Sequence, residues 1–580
     1  MGSSQDRFDD PRAVTGARTH PGTAAHRSDI PMSAPALAAT VHAYHQRSKH
    51  HLDRYAAGPG TLDWDAQPDP FRHWTDTQFL ALPRTLPDLA TAWSALPDPR
   101  PAAPLDAVSL GTLLRLSVGL TAWKEYAGSR WALRAHPSSG NLHPTETYIV
   151  AAGVHGVADG LHHYHSRSHG LEHRAWGAEP SAPGLWLGFS SVHWREAWKY
   201  GERAFRYCQL DLGHVLAAVS YAAALLGWRA EVLTLDSAGV ARCLGLDRAA
   251  DFAGVEAEEP EVIVALGASA SLPVACQHYA GKPSLLDPRP LYAWPVIEEV
   301  AAATRGAILR PVRSEPVEGP EPFDMAQDRL IEGQGPASGR PSTSSGRTVD
   351  GLVDGSETHP EGSIPAAQVI LKRRSAQAFD GRSVLPHAVF RRLLSSLLPG
   401  HAPVWDLWPH VPRVHPVLLV HRVEDVAPGL YALPRSGTAE AALRAACRAE
   451  LKWDRADPGL PLFRLLQATA TRTARTLSCH QDIAAHGALS VLFVAEFDAP
   501  IAANPAAYRH LHWEAGMLGH VITLEAEAAG WRGTGIGCFF DDADHDVLGF
   551  TDTRFQVLYH FAVGMPVDDP RLLTLDAYDE

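Results

Sequence analysis

The feature that most constrains this 580-residue chain is an internal repeat. Three groups of residues recur at a constant separation of 303 residues: Phe205-Arg206 as Tyr508-Arg509, Asp211-x-Gly213 as Glu514-x-Gly516, and Gly227-Trp228 as Gly530-Trp531. Two weaker matches accompany them: Leu244-Gly245 with Leu548-Gly549, and Gly160-Leu161 with Gly429-Leu430. One offset kept over so long a stretch predicts two tandem copies of a single fold.

The first copy contains a long apolar helical pattern. Its apolar residues recur at the spacing of one helical face: Leu212, Val215, Leu216, Val219, Ala222, Ala223 and Leu226. Gly227 follows where a C-terminal cap is expected. The pattern predicts a long helix, and its small alanines suit close packing against another helix.

Other local patterns predict shorter elements. They favour helices over residues 35–51 and 106–123, and strands over residues 147–152 and 261–266. Residues 160–165 and 171–173 are typical of a hairpin. Four nearby histidines are candidate metal ligands: His162, His163, His165 and His169. Because alternation spreads such side chains over both faces of a strand, we favour solvated histidines and predict no metal site.

Composition divides the chain into two large units. Residues 1–34 are polar and predict a flexible leader. Residues 310–364 are rich in Pro, Gly, Ser, Glu and Arg, and such a segment cannot bury enough apolar surface to fold alone. We therefore predict a first domain over 35–300, a disordered linker over 310–364 and a second domain over 365–580.

Charge and cysteine usage exclude several protein classes. The net charge of −14, without a basic stripe, argues against a nucleic-acid partner. Six cysteines without a CxxC pair argue against a disulfide framework and a cysteine zinc site. No apolar run reaches the ~20 residues that span a bilayer. We expect a cytoplasmic protein without a membrane partner.

A loop before one of the predicted strands is suited to contact a ligand. It reads Pro137-Ser138-Ser139-Gly140-Asn141. The backbone can approach a ligand closely here, because Gly140 has no Cβ and Asn141 tolerates unusual backbone angles. From residue types alone, an ordinary surface turn is an equal alternative.

Two motifs of the second copy are suited to the same purpose. Arg373-Arg374-Ser375-Ala376-Gln377 can place a guanidinium and a hydroxyl on one phosphate, although the basic edge of a helix is an alternative. Gly535-Ile536-Gly537 permits close approach of a flat ligand, although such strings are common in turns.

These motifs resemble those of the nitroreductase superfamily. The first loop is similar to that family's Pro-Ser-Ser-x-Asn flavin loop, residues 373–379 to its Arg-x-Ser-x-[Arg/Lys]-x-Phe signature, and residues 535–537 to its glycine loop near flavin N5. The resemblance implies that FMN contacts Pro137, Ser138, Ser139, Gly140, Asn141, Arg373, Arg374, Ser375, Gln377, Gly535, Ile536 and Gly537. Gln377 departs from the family's usual Lys or Arg. The implied fold is α+β: two domains, each a mainly antiparallel sheet flanked by helices, forming a covalent pseudo-dimer.

Lys199-Tyr200 resembles a Lys-Tyr pair of the SagB/ThcOx-type dehydrogenases, a branch that includes enzymes oxidising azolines to azoles in modified peptides. In that branch the pair is assigned to proton removal. A neighbouring ammonium would favour the phenolate of Tyr200 and so provide a base. A surface Lys-Tyr at a helix start is the alternative interpretation.

The resemblance implies an FMN-dependent oxidoreductase in which hydride passes to flavin N5 from a peptide or small metabolite. Two alternatives stay open. One is an NAD(P)H-dependent reductase of nitro compounds or quinones, and the other is a non-catalytic scaffold subunit of a peptide-modifying complex. Higher oligomerisation beyond the pseudo-dimer is left undecided.

The two copies have diverged in a complementary way, which predicts one flavin per chain. The first copy offers only Phe71-Arg72-His73-Trp74 for the phosphate and Thr234-Leu235-Asp236 in place of the glycines. The second copy has residues 411–416 in place of the Ser-Ser-Gly-Asn loop, and Ala502-Ala503 in place of Lys199-Tyr200. Only the combination of the first copy's loop with the second copy's arginine and glycines is complete.

Overall fold

The computed structural model describes residues 32–177, 182–267, 273–308, 364–408 and 410–578. The predicted linker, and the predicted leader up to residue 31, lie outside these residues apart from residue 364. The domain boundaries stay predictions.

The first half of the chain contains six α-helices and twelve strands in its described residues. The helices are α1 (Ala34–Arg47), α2 (Ala107–Ser117), α3 (His193–Tyr200), α4 (Ala204–Leu225), α5 (Ser237–Leu244) and α6 (Pro295–Ala303). The strands are β1 (Trp74–Thr75), β2 (Gln78–Ala81), β3 (Leu120–Tyr126), β4 (Ser129–Arg134), β5 (Thr145–Ala152), β6 (Gly160–His165), β7 (Gly170–Trp176), β8 (Gly184–Ser191), β9 (Ala230–Val232), β10 (Glu259–Leu266), β11 (His278–Tyr279) and β12 (Lys282–Pro283).

The described residues of the second half contain nine helices and eight strands. The helices are α7 (Ala366–Lys372), α8 (His387–Ser396), α9 (Val404–Leu407), α10 (Gly437–Ala446), α11 (Thr471–Leu477), α12 (Asp482–His486), α13 (Asp498–Ala503), α14 (Ala507–Ala528) and α15 (Asp541–Leu548). The strands are β13 (Val414–Val420), β14 (Gly429–Ala432), β15 (Asp454–Arg455), β16 (Phe463–Gln467), β17 (Leu489–Glu496), β18 (Arg532–Ile536), β19 (Phe555–Gly564) and β20 (Leu573–Leu575).

Each half builds one large antiparallel sheet, and the two large sheets share a strand order; the two smaller sheets pair β1 with β12 and β3 with β4 and β20. In the first half the order is β11-β7-β6-β5-β8-β10-β9, with β2 also paired to β7, and in the second it is β15-β16-β14-β13-β17-β19-β18. Helices α5 and α15 both end at a left-handed glycine, Gly245 and Gly549. The predicted α+β fold of antiparallel sheets flanked by helices is confirmed.

The halves meet where the 22-residue helices α4 and α14 cross. Gly213 and Gly516 lie at the crossing, and a Cβ added to either would be 2.9 Å from the Cα atom of the other. The same Cβ atoms would also collide with the carbonyl oxygens of Trp513 and Leu210. The repeated glycines therefore let two helix backbones touch, which no other residue type would allow.

The C-terminal end of the chain returns to the first half. Strand β20 pairs with β3, which pairs in turn with β4. The Tyr578 hydroxyl accepts a hydrogen bond from the Leu120 amide (2.9 Å), and Trp123 Nε1 donates to the Ala577 carbonyl (3.0 Å). The stretch His193–Leu225 is the one part of the described helices long and apolar enough to cross a membrane, and 94% of its apolar window is buried within the protein.

Two helix predictions are wrong in their extent. The helix predicted over 106–123 ends at Ser117, because the chain turns at Gly119 and residues from Leu120 onward pair with β4. The helix predicted over 35–51 ends at Arg47. Apolar residues continue through the turn in the first case, so periodicity alone could not separate the helix from the strand.

The prediction of solvated hairpin histidines is also wrong. Strands β6 and β7 form the expected hairpin, but they lie inside the sheet, and His162, His163 and His169 are buried. His163 bridges the carboxylates of Glu146 (3.0 Å) and Glu172 (2.8 Å), whose hydrogen bonds raise its pKa to about 9 against the opposing effect of burial. Among the described residues, no group of three or more His, Cys, Asp or Glu side chains is arranged to hold a metal ion.

Replacing Gly213 by Ala tests the helix crossing. The added methyl group must push α4 and α14 apart, and overpacking of this kind lowers the free energy of unfolding by about 1–3 kcal/mol. The matched control is Gly437→Ala at the start of α10, where an added Cβ meets no atom within 4 Å. Thermal melting should show a loss for Gly213→Ala alone. Equal melting temperatures of the two variants would contradict the close approach.

Candidate functional site

The loop of residues 137–141 connects β4 to β5 and is fixed to helix α4. Gly140, Asn141 and His143 all have left-handed backbone angles, with φ of 58°, 61° and 52°. The carboxylate of Asp211, on α4, accepts hydrogen bonds from the Ser139 amide (2.9 and 3.1 Å) and the Ser139 hydroxyl (2.9 Å). The loop is therefore held in one conformation by helix α4 and is not an ordinary surface turn.

Two further hydrogen bonds tie the loop to the residues on either side of it. The Ser138 hydroxyl accepts from the His143 amide (2.8 Å), and the Asn141 side-chain amide donates to the Ala132 carbonyl (2.9 Å). Burial raises the pKa of Asp211 to about 7, so the carboxylate that holds the loop changes charge near neutral pH.

The structure places the predicted Lys199-Tyr200 pair against this loop. The pair ends helix α3, and a Cβ added to Gly140 would be 2.5 Å from Tyr200 Oη and 3.2 Å from Lys199 Nζ. The Tyr200 ring contacts that of Tyr207, with ring centroids 4.6 Å apart. Two motifs that are separated by 58 residues in the sequence therefore share one site.

The prediction of a Tyr200 phenolate is wrong. Burial raises the pKa of Tyr200 well above its ordinary value, and the nearby Glu196 carboxyl adds to this effect. Burial also lowers the pKa of Lys199, since an ammonium loses solvation there. Tyr200 is therefore a protonated phenol, and Lys199 is the group of the pair that more readily becomes a base.

Arg373 extends from the second half to the start of the same loop. Its side chain is buried, Nε donates to the Ala135 carbonyl (2.8 Å), and Nη2 donates to the Arg134 carbonyl (3.0 Å). Nη1 is buried and has no hydrogen-bond partner. Burial, with repulsion from Arg374, lowers the pKa of Arg373 to about 9. Among the described residues no carboxylate forms an ion pair with it.

The neighbours of Arg373 in the motif are placed differently. The Arg374 guanidinium is occupied by the Thr121 hydroxyl (3.2 Å) and by main-chain carbonyls. Ser375 and Gln377 are exposed, and between them the Ala376 amide donates to the Gly533 carbonyl (3.2 Å). This bond aligns the motif with strand β18, which carries Gly535 and leads directly to Gly537.

Residues 535–537 contact other side chains of the candidate site. A Cβ added to Gly535 would collide with the Tyr559 hydroxyl, and one added to Gly537 with the Tyr207 ring. The Gly537 carbonyl accepts from Nε (3.3 Å) and Nη2 (3.1 Å) of Arg203. The Ile536 side chain lies in the second-half core, so only its backbone can face a ligand.

Helix α4 supplies site residues that were not predicted. Tyr207 and His214 share the face that carries Asp211, and His214 Nε2 lies 3.2 Å from the Tyr559 hydroxyl of β19. Buried nitrogens of His136 and His214 have no hydrogen-bond partner, as for Arg373 Nη1. Burial and the charge of Arg373 hold the pKa of both imidazoles below its ordinary value. The signal available in the sequence was the polar spacing 207, 211, 214 on an otherwise apolar helix.

The second half has an equivalent position, where residues 411–416 meet helix α14. Side chains of the protein already occupy it. Glu514, the counterpart of Asp211, accepts from the amides of Arg413 (3.2 Å) and Val414 (3.3 Å), but it also pairs with the Arg435 guanidinium. Arg435 in turn stacks over the Trp405 ring at 4.2 Å. At Glu514, therefore, the buried guanidinium of Arg435 already has a carboxylate partner.

The first copy's predicted phosphate residues are engaged as well. Arg72 is buried and pairs with Glu258 (2.8 Å) and Glu256 (3.1 Å). Asp236 caps helix α5 by accepting from the Gly239 amide (2.6 Å).

Comparison with known proteins places this geometry in a known fold. A protein of Anabaena variabilis assigned as a nitroreductase superimposes with a TM-score of 0.63 at 23% identity, covering 91% of this chain and 99% of that one. The chain has the nitroreductase fold. Because the superposition covers 91% of the chain, it includes residues from both halves.

Sequence comparison reaches less far. No protein-family model matches the chain. A 120-residue alignment, 18% of this chain, is 32% identical to the trifolitoxin-processing protein TfxB of Rhizobium leguminosarum bv. trifolii and covers 32% of it. The chain thus spans about a third of the length of this curated relative. A chain of the E. coli microcin synthetase complex superimposes with a TM-score of only 0.26 at 14% identity, over 43% of this chain and 83% of that one, and carries no weight.

The raised pKa of Asp211 predicts a pH dependence of stability. The folded protein keeps this proton up to about pH 7, whereas the unfolded chain releases it near its ordinary pKa of 3.8. The contribution to stability is therefore present below pH 3.8 and is lost as the pH rises to about 7. Melting curves of Asp211→Asn should lack this loss. The stability of the variant relative to the parent protein should therefore rise between pH 3.8 and about pH 7. Parallel pH profiles of the two proteins would contradict the assignment.

Proposed function

We propose that this chain is an FMN-dependent oxidoreductase that oxidises a peptide or small metabolite at one site between its two halves. The observation that supports this most is the convergence at one place of the 137–141 loop, the Lys199-Tyr200 pair and the Arg373 guanidinium, whose Nη1 has no hydrogen-bond partner. These parts come from three distant segments, and only this combination of the halves brings them together.

The donors present fit an anionic cofactor. A buried guanidinium without a carboxylate partner is unfavourable unless an anion completes it, and guanidinium groups match phosphate with paired hydrogen bonds. Arg373 Nη1 is such a donor, and the exposed hydroxyl of Ser375 lies two residues away. Arg72 and Arg435 offer no comparable site, because carboxylates already neutralise them.

FMN would supply reversible hydride transfer, which no side chain provides. The chain's own residues would position it: the left-handed Gly140 and Asn141 set the backbone of the 137–141 loop, and the glycines at 535 and 537 let Tyr559 and Tyr207 pack directly against the backbone that would face the flavin. Imidazoles held neutral by burial, such as that of His214, can hydrogen-bond a ligand without adding charge.

Lys199 and Tyr200 would handle the proton that a substrate loses on oxidation. Because burial lowers the pKa of Lys199, its amine is the proton acceptor of the pair, and the protonated Tyr200 hydroxyl is the hydrogen-bond donor beside it. This assignment replaces the phenolate base expected from the sequence.

A peptide substrate is favoured by the partial similarity to a trifolitoxin-processing protein. Rapid reduction of the bound flavin by NAD(P)H, without any oxidation of peptide, would instead identify a reductase. Failure to retain or reconstitute FMN would identify a scaffold subunit.

Removal of the Arg373 side chain should weaken FMN binding. A hydrogen bond to a charged group contributes about 1.5–3 kcal/mol, so Arg373→Ala should lower affinity about ten- to a hundredfold. Fluorescence titration with FMN measures this, and Arg382→Ala serves as the control because its side chain is 88% exposed. Melting without FMN separates lost affinity from lost folding. Unchanged affinity in folded Arg373→Ala would refute the phosphate assignment.

Tyr200→Phe should keep FMN but lose turnover. The variant removes one hydroxyl and leaves the ring that packs on Tyr207, so the FMN spectrum and affinity stay those of the parent while kcat falls. Lys199→Met should do the same and abolish the alkaline-side rise in kcat that deprotonation of Lys199 produces. Parental kcat in Tyr200→Phe would assign Tyr200 a structural part only.

A further inference from the structure

A pair of cysteines lies at the edge of the proposed flavin site and has no part in the function above. Cys479 lies between α11 and α12, and Cys538 follows β18. The Phe540 amide donates to the Leu477 carbonyl (2.8 Å), and the Gln481 side chain donates to the Cys538 carbonyl (3.1 Å). The two bonds show that residues 477–481 and 538–540 lie side by side in opposite directions. Cys479 therefore lies opposite Cys538.

The segment that presents Cys479 is strained and firmly anchored. Cys479 and His480 have φ of 51° and 60°, a left-handed conformation that is unfavourable for residues other than glycine. The preceding Ser478 hydroxyl contacts His560 Nδ1 (3.0 Å), and His560 Nε2 contacts Asp544 (2.8 Å). A rigid anchor next to a strained residue fixes where the thiol points.

The two thiols are in contact and chemically unequal. A hydrogen bond between the side chains lowers the pKa of Cys538, with help from the Arg203 guanidinium, and raises the pKa of Cys479. Both cysteines are free and only partly buried, so a small reagent can reach them. Cys538 is the nucleophile of the pair, because the Arg203 guanidinium, which donates to the neighbouring Gly537 carbonyl, favours its thiolate, the reactive form.

We propose that Cys479 and Cys538 are a redox-active pair that closes reversibly to a disulfide and shifts Gly537, the glycine next to Cys538. The oxidant is a low-molecular-weight disulfide such as glutathione disulfide. The Cys538 thiolate attacks one of its sulfurs, forming a mixed disulfide and releasing one glutathione thiolate. The Cys479 sulfur then attacks that of Cys538 and releases the second. The protein loses two electrons and two protons, and two molecules of glutathione form.

Disulfide formation at Cys538 affects the proposed flavin site because Gly537 is the preceding residue of the chain. Gly537 is held by two hydrogen bonds from Arg203 and faces the Tyr207 ring, which touches Tyr200. We expect the new bond to draw the Cys538 sulfur toward Cys479 and to move the adjacent backbone of Gly537 with it. This second part of the proposal rests on the proposed flavin site, whereas disulfide formation does not.

The full-length chain tests the disulfide in glutathione buffers of increasing oxidised fraction. Alkylation and mass spectrometry of digests should show the loss of two free thiols and a Cys479–Cys538 linked peptide, both reversed by reduced glutathione. Cys479→Ser should instead trap glutathione on Cys538, and the control Cys447→Ser should behave as the parent. Six alkylatable thiols throughout, or glutathione adducts without a linked peptide, would overturn the proposal.

A second measurement tests the link to the site. The affinity for FMN should be severalfold weaker in the oxidised parent protein than in the reduced one, with no such difference in Cys479→Ser. Equal affinities in the two states would refute the shift of Gly537 while leaving the disulfide intact. If neither state bound FMN, the proposed function would fail, and the thiol count would still decide the disulfide.

Discussion

The two halves of the chain are joined where the backbones of helices α4 and α14 touch at Gly213 and Gly516. Side chains at these positions would separate α4 from α14, and each glycine would collide with the opposite helix if it carried even one methyl group. Because the helices touch, residues on α4 reach the second half's sheet directly, as His214 does at Tyr559. The candidate site is therefore a product of the crossing and belongs to neither half alone.

The two halves share an architecture but differ in what fills their symmetric positions. Asp211 and Glu514 both receive main-chain amides from the loop that precedes a central strand. Only Glu514 also carries an arginine, Arg435. Once a carboxylate and a guanidinium neutralise each other in a buried position, neither is available to a ligand, and separating them leaves an uncompensated charge. Arg373, which lacks such a partner, marks the position that can still receive an anion.

Much of the fold could be predicted, because repeats and strand patterns are encoded locally. The constant offset between equivalent residues anticipated two sheets of one kind, and the small residues of the 137–141 loop anticipated its backbone conformation. The turn at Gly119 was missed, since apolar residues continue through it into β3. The burial of His163 was missed too, because its partners Glu146 and Glu172 lie on other strands. Tyr200 was assigned the wrong protonation state, since sequence shows the neighbouring lysine but not the burial of the hydroxyl.

The proposed function requires one complete flavin site between the halves, so the number of FMN molecules bound per chain tests it most directly. Purified chain saturated with FMN and freed of excess ligand should release one FMN per chain on denaturation, measured against protein concentration by amino-acid analysis. Tyr200→Phe, which leaves the cofactor contacts in place, should give the same ratio. A ratio near two per chain, or FMN bound by an isolated half, would contradict a site that requires both halves.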